Sequence, residues 1–206
     1  MARVLKADLE CLAEAAATVR KGGVICYPTD TLYGLGCDPA NESAVRRTMR
    51  IKGDRTKPMP ILVKDLASAE KFAYIPQKAR KLAAIFWPGP LTIVVRAREA
   101  LPKLLIPEAK VGIRSPKHAY CLKLLELCMG GLVGTSANLS GQPPATTAEE
   151  VLDQIGDQVE LVLDGGKVPL GVASTVIDLT APKLSLLREG PVGREEILRA
   201  LRSHSY

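Results

Sequence analysis

Aromatic side chains are scarce, with Phe, Trp and Tyr together making up 4% of the 206 residues. Proteins that bind single strands by stacking successive bases need several such rings, so this nucleic-acid mode is disfavoured. Histidine is scarcer still. Only His118 and His204 occur, which argues against a Ser-His-Asp hydrolase. The five cysteines, Cys11, Cys26, Cys37, Cys121 and Cys128, form no close C-x-x-C pair, so a zinc site is not expected and small buried thiols are. No apolar run approaches the ~20 residues of a membrane span. The N-terminus, Met1 to Asp8, becomes charged before a secretory apolar segment can form, and the expected location is the cytoplasm. Phosphate-binding fingerprints are missing too. No G-x-x-x-x-G-K-[ST] occurs, and the third glycine that Gly34-Leu35-Gly36 would need is replaced by Pro39.

What remains is 47% hydrophobic and 24% charged, the composition of a soluble chain long enough for a sizeable core. With 28 basic against 22 acidic residues the net charge is +6, which favours anionic partners such as nucleotides, pyrophosphate or RNA. No linker, charge block or repeat interrupts the chain, so residues 1–206 are read as one domain.

Leu9, Leu12, Ala13, Ala16 and Val19 recur at helical spacing, and Gly22-Gly23 ends that helix ahead of the apolar run Val24 to Tyr27. Asn41 is placed to cap a second helix, Pro76 suits the first turn of a third, and Thr147 to Glu150 reads as a capping box. Gly193 to Arg202 reads as a last helix. Further strands are expected at Pro60 to Val63, Leu91 to Val95, Val111 to Arg114, Gly131 to Thr135, Val159 to Leu163, Ser174 to Leu179 and Leu184 to Arg188. The alternation is that of an α/β domain. The last two strands are too close for a parallel crossover, so the sheet is expected to be mixed.

Three polar features stand out. Arg46, Arg47, Arg50, Lys52, Arg55 and Lys57 face a lone Asp54. Such a run is usually a solvated helix face, but Lys52, Arg55 and Lys57 lie beyond the apolar helical positions, where cations can converge on a triphosphate. Gly134 to Gly141 follows an apolar strand with Thr135, Ser136, Asn138 and Ser140. These side chains can serve a ligand at a sheet edge or simply make local turns, and the residues alone leave both open. Arg114 at a strand end suits a carboxylate or an ordinary ion pair. Gly165-Gly166-Lys167 reads as a plain turn. Cations with hydroxyls and no acyl-transfer set point to phosphoryl or nucleotidyl transfer.

The segments Lys21 to Gly36 (with Pro28-Thr29-Asp30-Thr31), Trp87 to Thr92, Val111 to Pro116, Thr135 to Gly141 and Ser174 to Asp178 resemble, in order, the YrdC/Sua5/TsaC family of threonylcarbamoyl-AMP synthases. The resemblance implies a YrdC-like fold, a twisted mixed β-sheet flanked by helices around a positively charged cavity. It also implies a reaction of L-threonine, bicarbonate or CO2, and ATP with Mg2+, giving threonylcarbamoyl-AMP and pyrophosphate for t6A at tRNA position 37. By the same resemblance Thr31, Thr135 and Ser174 hold threonine and Arg114 its carboxylate. Lys52, Arg55, Ser136, Asn138 and Arg188 line the ATP site, with Lys52 and Arg55 catalytic and no permanently bound metal. Downstream t6A proteins are implied partners, and tRNA or double-stranded RNA a further one, to be sought at Arg46, Arg47 and Arg50. The sequence departs from the family at Lys52-Gly53-Asp54-Arg55, one residue longer than K-x-R, and at Met59, Lys64, Lys110 and Pro144. The alternatives are a non-catalytic RNA-binding module and a relative of the YciO branch with altered activity. The second C-terminal domain of longer Sua5 members is not expected.

Overall fold

The computed structural model describes residues 1–53 and 58–202. Arg55, expected at the phosphates, and His204 lie outside them. The architecture is mixed α/β, as expected, but the strands divide between two sheets. One contains β1 (Arg3–Lys6), β2 (Ile25–Tyr27), β3 (Gly34–Gly36), β8 (Thr135–Ser136) and β9 (Leu161–Asp164), in the order β1-β9-β2-β3-β8. The other contains β4 (Ile61–Val63), β5 (Leu91–Arg96), β6 (Lys110–Arg114), β7 (Gly131–Val133), β10 (Thr175–Asp178) and β11 (Ser185–Arg188), in the order β11-β10-β5-β6-β4-β7. Each sheet mixes parallel and antiparallel pairs. β10 runs parallel to β5 and antiparallel to β11, the hairpin that the short connection over residues 179–184 requires.

The expected strand Gly131 to Thr135 is where the two sheets meet. It splits at Gly134 into β7 of one sheet and β8 of the other. A Cβ on Gly134 would stand 2.4 Å from Leu62 Cγ, so only glycine lets the chain pass.

The helices are α1 (Leu9–Arg20), α2 (Glu42–Ile51), α3 (Leu66–Ala69), α4 (Gln77–Phe86), α5 (Ala119–Leu127), α6 (Ala148–Ile155) and α7 (Arg194–Arg202). Side chains of Asp8, Asn41, Asp65, His118 and Thr147 cap α1, α2, α3, α5 and α6 by accepting backbone N–H bonds, satisfying donors that a helix start leaves unpaired. α1 and α5 pack together over Leu12, Ala16, Leu124 and Leu125, while the six-stranded sheet sends Ile61, Ile93, Val95, Ile113 and Ile177 into the larger core.

Successive strand residues point to opposite sheet faces. Ile93, Val95, Val111, Ile113 and Ile177 are therefore core residues, and their neighbours Thr92, Val94, Gly112, Arg114 and Val176 share the other face, where they floor a cavity.

Candidate active site

The cavity has a volume of about 510 Å3, within the usual range for small-molecule sites. Its floor is the even-numbered face of β5, β6 and β10. Opposite stand the Thr29–Tyr33 loop and the stretch from Gly134 to Asn138, and the edge strand β11 contributes Leu187 and Arg188. The β3 sequence Gly-Leu-Gly serves close packing: a Cβ on Gly36 would lie 2.0 Å from the Val133 carbonyl oxygen. The Tyr27 hydroxyl donates to that same oxygen at 2.8 Å, fixing the loop that follows β2.

At one end sits Arg114, only 5% exposed. Its Nε donates to the Gly89 carbonyl at 3.1 Å and its Nη1 to Thr31 Oγ1 at 2.8 Å, while Nη2 donates to Asp30 Oδ1 in a buried ion pair. Burial opposes the guanidinium charge, and the Asp30 carboxylate counteracts it. Thr29 organises this loop. Its hydroxyl donates to the Leu32 carbonyl at 2.7 Å and accepts from the Thr31 and Leu32 backbone N–H groups. The Thr31 hydroxyl lies 3.0 Å from it.

Ser174 occupies the other side of the floor. Its Oγ lies 2.8 Å from Thr92 Oγ1 and accepts from Arg188 Nη2 at 3.1 Å, and its carbonyl accepts from Arg188 Nε at 2.9 Å. The arginine is thus latched to the serine by two donors.

Seven of the nine residues singled out in the sequence, Thr31, Arg114, Thr135, Ser136, Asn138, Ser174 and Arg188, line this one cavity. Lys52 stands behind the wall. It is 1% exposed, and its Nζ donates to the Ser136 carbonyl at 2.8 Å, to Asn138 Oδ1 at 2.9 Å and to the Asn138 carbonyl. The Asn138 amide in turn donates to the carbonyls of Leu139 and Gln142 at 2.8 and 2.7 Å. This segment therefore lines the cavity and makes a local turn at once: Asn138 closes the turn and anchors the lysine.

Several departures from the family pattern lie away from the cavity. Met59 is buried in the core. Lys64 pairs with Glu126 at 3.4 Å, and Lys110 with Glu108 at 3.1 Å and Asp178 at 3.7 Å. Pro144 does line the cavity. Of the three arginines that the charge run places on α2, Arg46 pairs with Glu42 and Arg47 with Glu160, both on the surface. Asp164 Oδ1 accepts from the Gly166 N–H at 2.9 Å, making Gly165-Gly166-Lys167 the expected turn. Cys26, Cys37, Cys121 and Cys128 are buried free thiols; burial pushes Cys37 and Cys128 up to about 12 and the other two higher, so none is a nucleophile at neutral pH.

Sequence reasoning missed Thr92 and Asp30. Thr92 was legible as the polar member of the apolar run Leu91 to Val95. Asp30 was legible only as a charge between two threonines, because its partner is 84 residues away.

The profile of the Sua5/YciO/YrdC family, described as telomere recombination, matches residues 17–190. The threonylcarbamoyl-AMP synthase of Pyrococcus abyssi is 39% identical over 91% of this chain, which spans 56% of that protein's length. The crystal structure of P. abyssi Sua5 complexed with L-threonine superposes with a TM-score of 0.91 at 36% identity, over 98% of this chain and 60% of that one. Escherichia coli YciO superposes with a TM-score of 0.85 at 30% identity, over 93% of this chain and 97% of its own. Matched by the profile over most of its length and by both of these folds nearly throughout, the chain belongs to the Sua5/YciO/YrdC family.

Proposed function

We propose that this chain is an L-threonylcarbamoyladenylate synthase, forming threonylcarbamoyl-AMP and pyrophosphate from L-threonine, bicarbonate or CO2, and ATP, as a step toward t6A in tRNA. The observation that carries the reading is the joining, in one cavity, of a buried guanidinium flanked by hydroxyls with a second arginine latched across the floor. The name and the threonine complex of the P. abyssi relatives point the same way. In this reading residues 1–206 act as one catalytic unit.

In this reading Arg114 takes the threonine carboxylate, with Thr31, Thr135 and Ser174 around the amino acid. The α-amine attacks CO2, forming an N–C bond and releasing a proton. One oxygen of the resulting carbamate then attacks the α-phosphorus of ATP. The bond from that phosphorus to the bridging oxygen breaks, and its electron pair leaves on pyrophosphate. Charge accumulates on oxygens throughout, so fixed cations and hydroxyl donors are the chemistry required. Arg188, Ser136 and Arg55 are assigned to the phosphates. Lys52 and Asn138 shape the wall segment and add one positive charge behind it. Mg2+ enters with ATP as substrate.

The test is pyrophosphate release from MgATP by the purified chain. Release should require both threonine and bicarbonate, with the adduct found by mass spectrometry. Release indifferent to threonine would refute the synthase and favour a YciO-like activity, and binding of RNA without any nucleotide turnover would favour the RNA module. The ion pairs that neutralise Arg46 and Arg47 weigh against the latter.

A further inference from the structure

Two substrates of very different charge must share the cavity in the function proposed above: a triphosphate and an amino acid. Arg114, unopposed, would attract either. It is opposed. Asp30 is 4% exposed and pairs with Nη2, so a carboxylate is buried directly behind the guanidinium that lines this end of the cavity. Among the described residues Asp30 Oδ2 is also the one buried side-chain oxygen or nitrogen without a hydrogen-bond partner. A buried carboxylate oxygen left unsatisfied is costly and calls for a reason. It is not needed to hold the Thr29–Tyr33 loop, because the Thr29 hydroxyl already makes the loop's turn bonds.

We infer that Asp30 is a charge-selectivity residue: by neutralising Arg114 it makes this end of the cavity accept a zwitterion and reject a polyanion. A zwitterionic α-amino acid brings no net charge to the Asp30–Arg114 pair, and its ammonium is attracted to the carboxylate while its own carboxylate meets the guanidinium. A phosphate or pyrophosphate group brings two or more negative charges beside a buried anion, where low dielectric makes repulsion expensive. The polyphosphate is thereby confined to the Arg188 side. The inference rests on reading the Arg114 end as the threonine end, and its test does not require turnover.

The experiment is isothermal titration of the whole chain with inorganic pyrophosphate and with L-threonine, separately and in competition, in the absence of ATP. In the wild type, pyrophosphate should shift the threonine affinity at most to a fixed limit and should never displace threonine. In Asp30→Asn, which keeps the shape and an acceptor for Nη2, pyrophosphate should bind at least tenfold tighter and should displace threonine. Removing both charges in the Asp30→Asn, Arg114→Gln variant should return pyrophosphate to its wild-type affinity, and this variant carries the test if the single one does not fold. Unchanged pyrophosphate affinity in Asp30→Asn, or a tenfold loss in the double variant, would overturn the inference. Failure of the wild type to bind threonine at all would instead refute the proposed function.

Discussion

Arg114 donates to Gly89, Thr31 and Asp30 at once, so its loss acts on both stability and binding. Arg114→Ala is expected to raise the threonine KM ~10–100-fold, the worth of a charge-assisted hydrogen bond. It should also destabilise the fold by about 3–5 kcal/mol, because Asp30 is left buried without its counter-charge. Steady-state kinetics and urea unfolding read the two separately. Lys52→Met keeps the stem but orphans three acceptors on Ser136 and Asn138; a loss on the order of 3 kcal/mol in urea unfolding is expected. His118 gives a pH prediction. Its Nδ1 accepts the Cys121 N–H as the cap of α5, and burial lowers its pKa below 6.5, Asp30 partly opposing. The folded state therefore prefers the neutral ring, and this stabilisation is complete above pH 6.5 and lost as pH falls through the lowered folded value. His118→Asn keeps a capping acceptor, so between pH 7.5 and 5 it should lose less stability than the wild type. Arg114 could be named from the sequence because it ends an apolar run, and Arg188 through the family resemblance. Which side chains would be buried against which could not, since the bond from Lys52 to Ser136 spans 84 positions.

At the scale of elements, capping residues and apolar runs made most helices and the central strands β5, β6 and β10 legible. β1 and β3 were not. Arg3–Lys6 is a largely exposed edge strand with charges at both ends, and Gly34–Gly36 has the residues of a turn, forced into a strand by pairing with β2 and β8. The division into two sheets was hidden for a similar reason: apolar patterning specifies a strand's faces but leaves its neighbours open. The glycines of these elements make a contrast. Gly36→Ala must push the Val133 carbonyl away from 2.0 Å, and a loss of about 3 kcal/mol or more is expected. Gly141→Ala, at φ +86° with nothing within 4 Å, should cost only the ~1–2 kcal/mol of a left-handed alanine. Thermal unfolding of the two variants compares them, and equal losses would contradict the packing role given to β3.

For the molecule as a whole, the cavity sits between the six-stranded sheet and loops of the five-stranded one, so a ligand filling it touches both layers. Ligands that bind only the folded state stabilise it by mass action. Threonine or MgATP at ~100 times its dissociation constant should add about 2.7 kcal/mol, raising the melting temperature by roughly 5–10 °C for a chain of this size. A scanning-fluorimetry shift with neither ligand would contradict the cavity as their site. The bond from Arg188 to Ser174 carries this further. One arginine grips the hydroxyl assigned to the amino acid while its own charge is assigned to the nucleotide, so whatever draws the guanidinium toward phosphate also re-aims Ser174. The two ligands then communicate, each altering the other's affinity by one shared factor. In Arg188→Met that factor should fall to unity, and the chain would bind its two substrates as strangers.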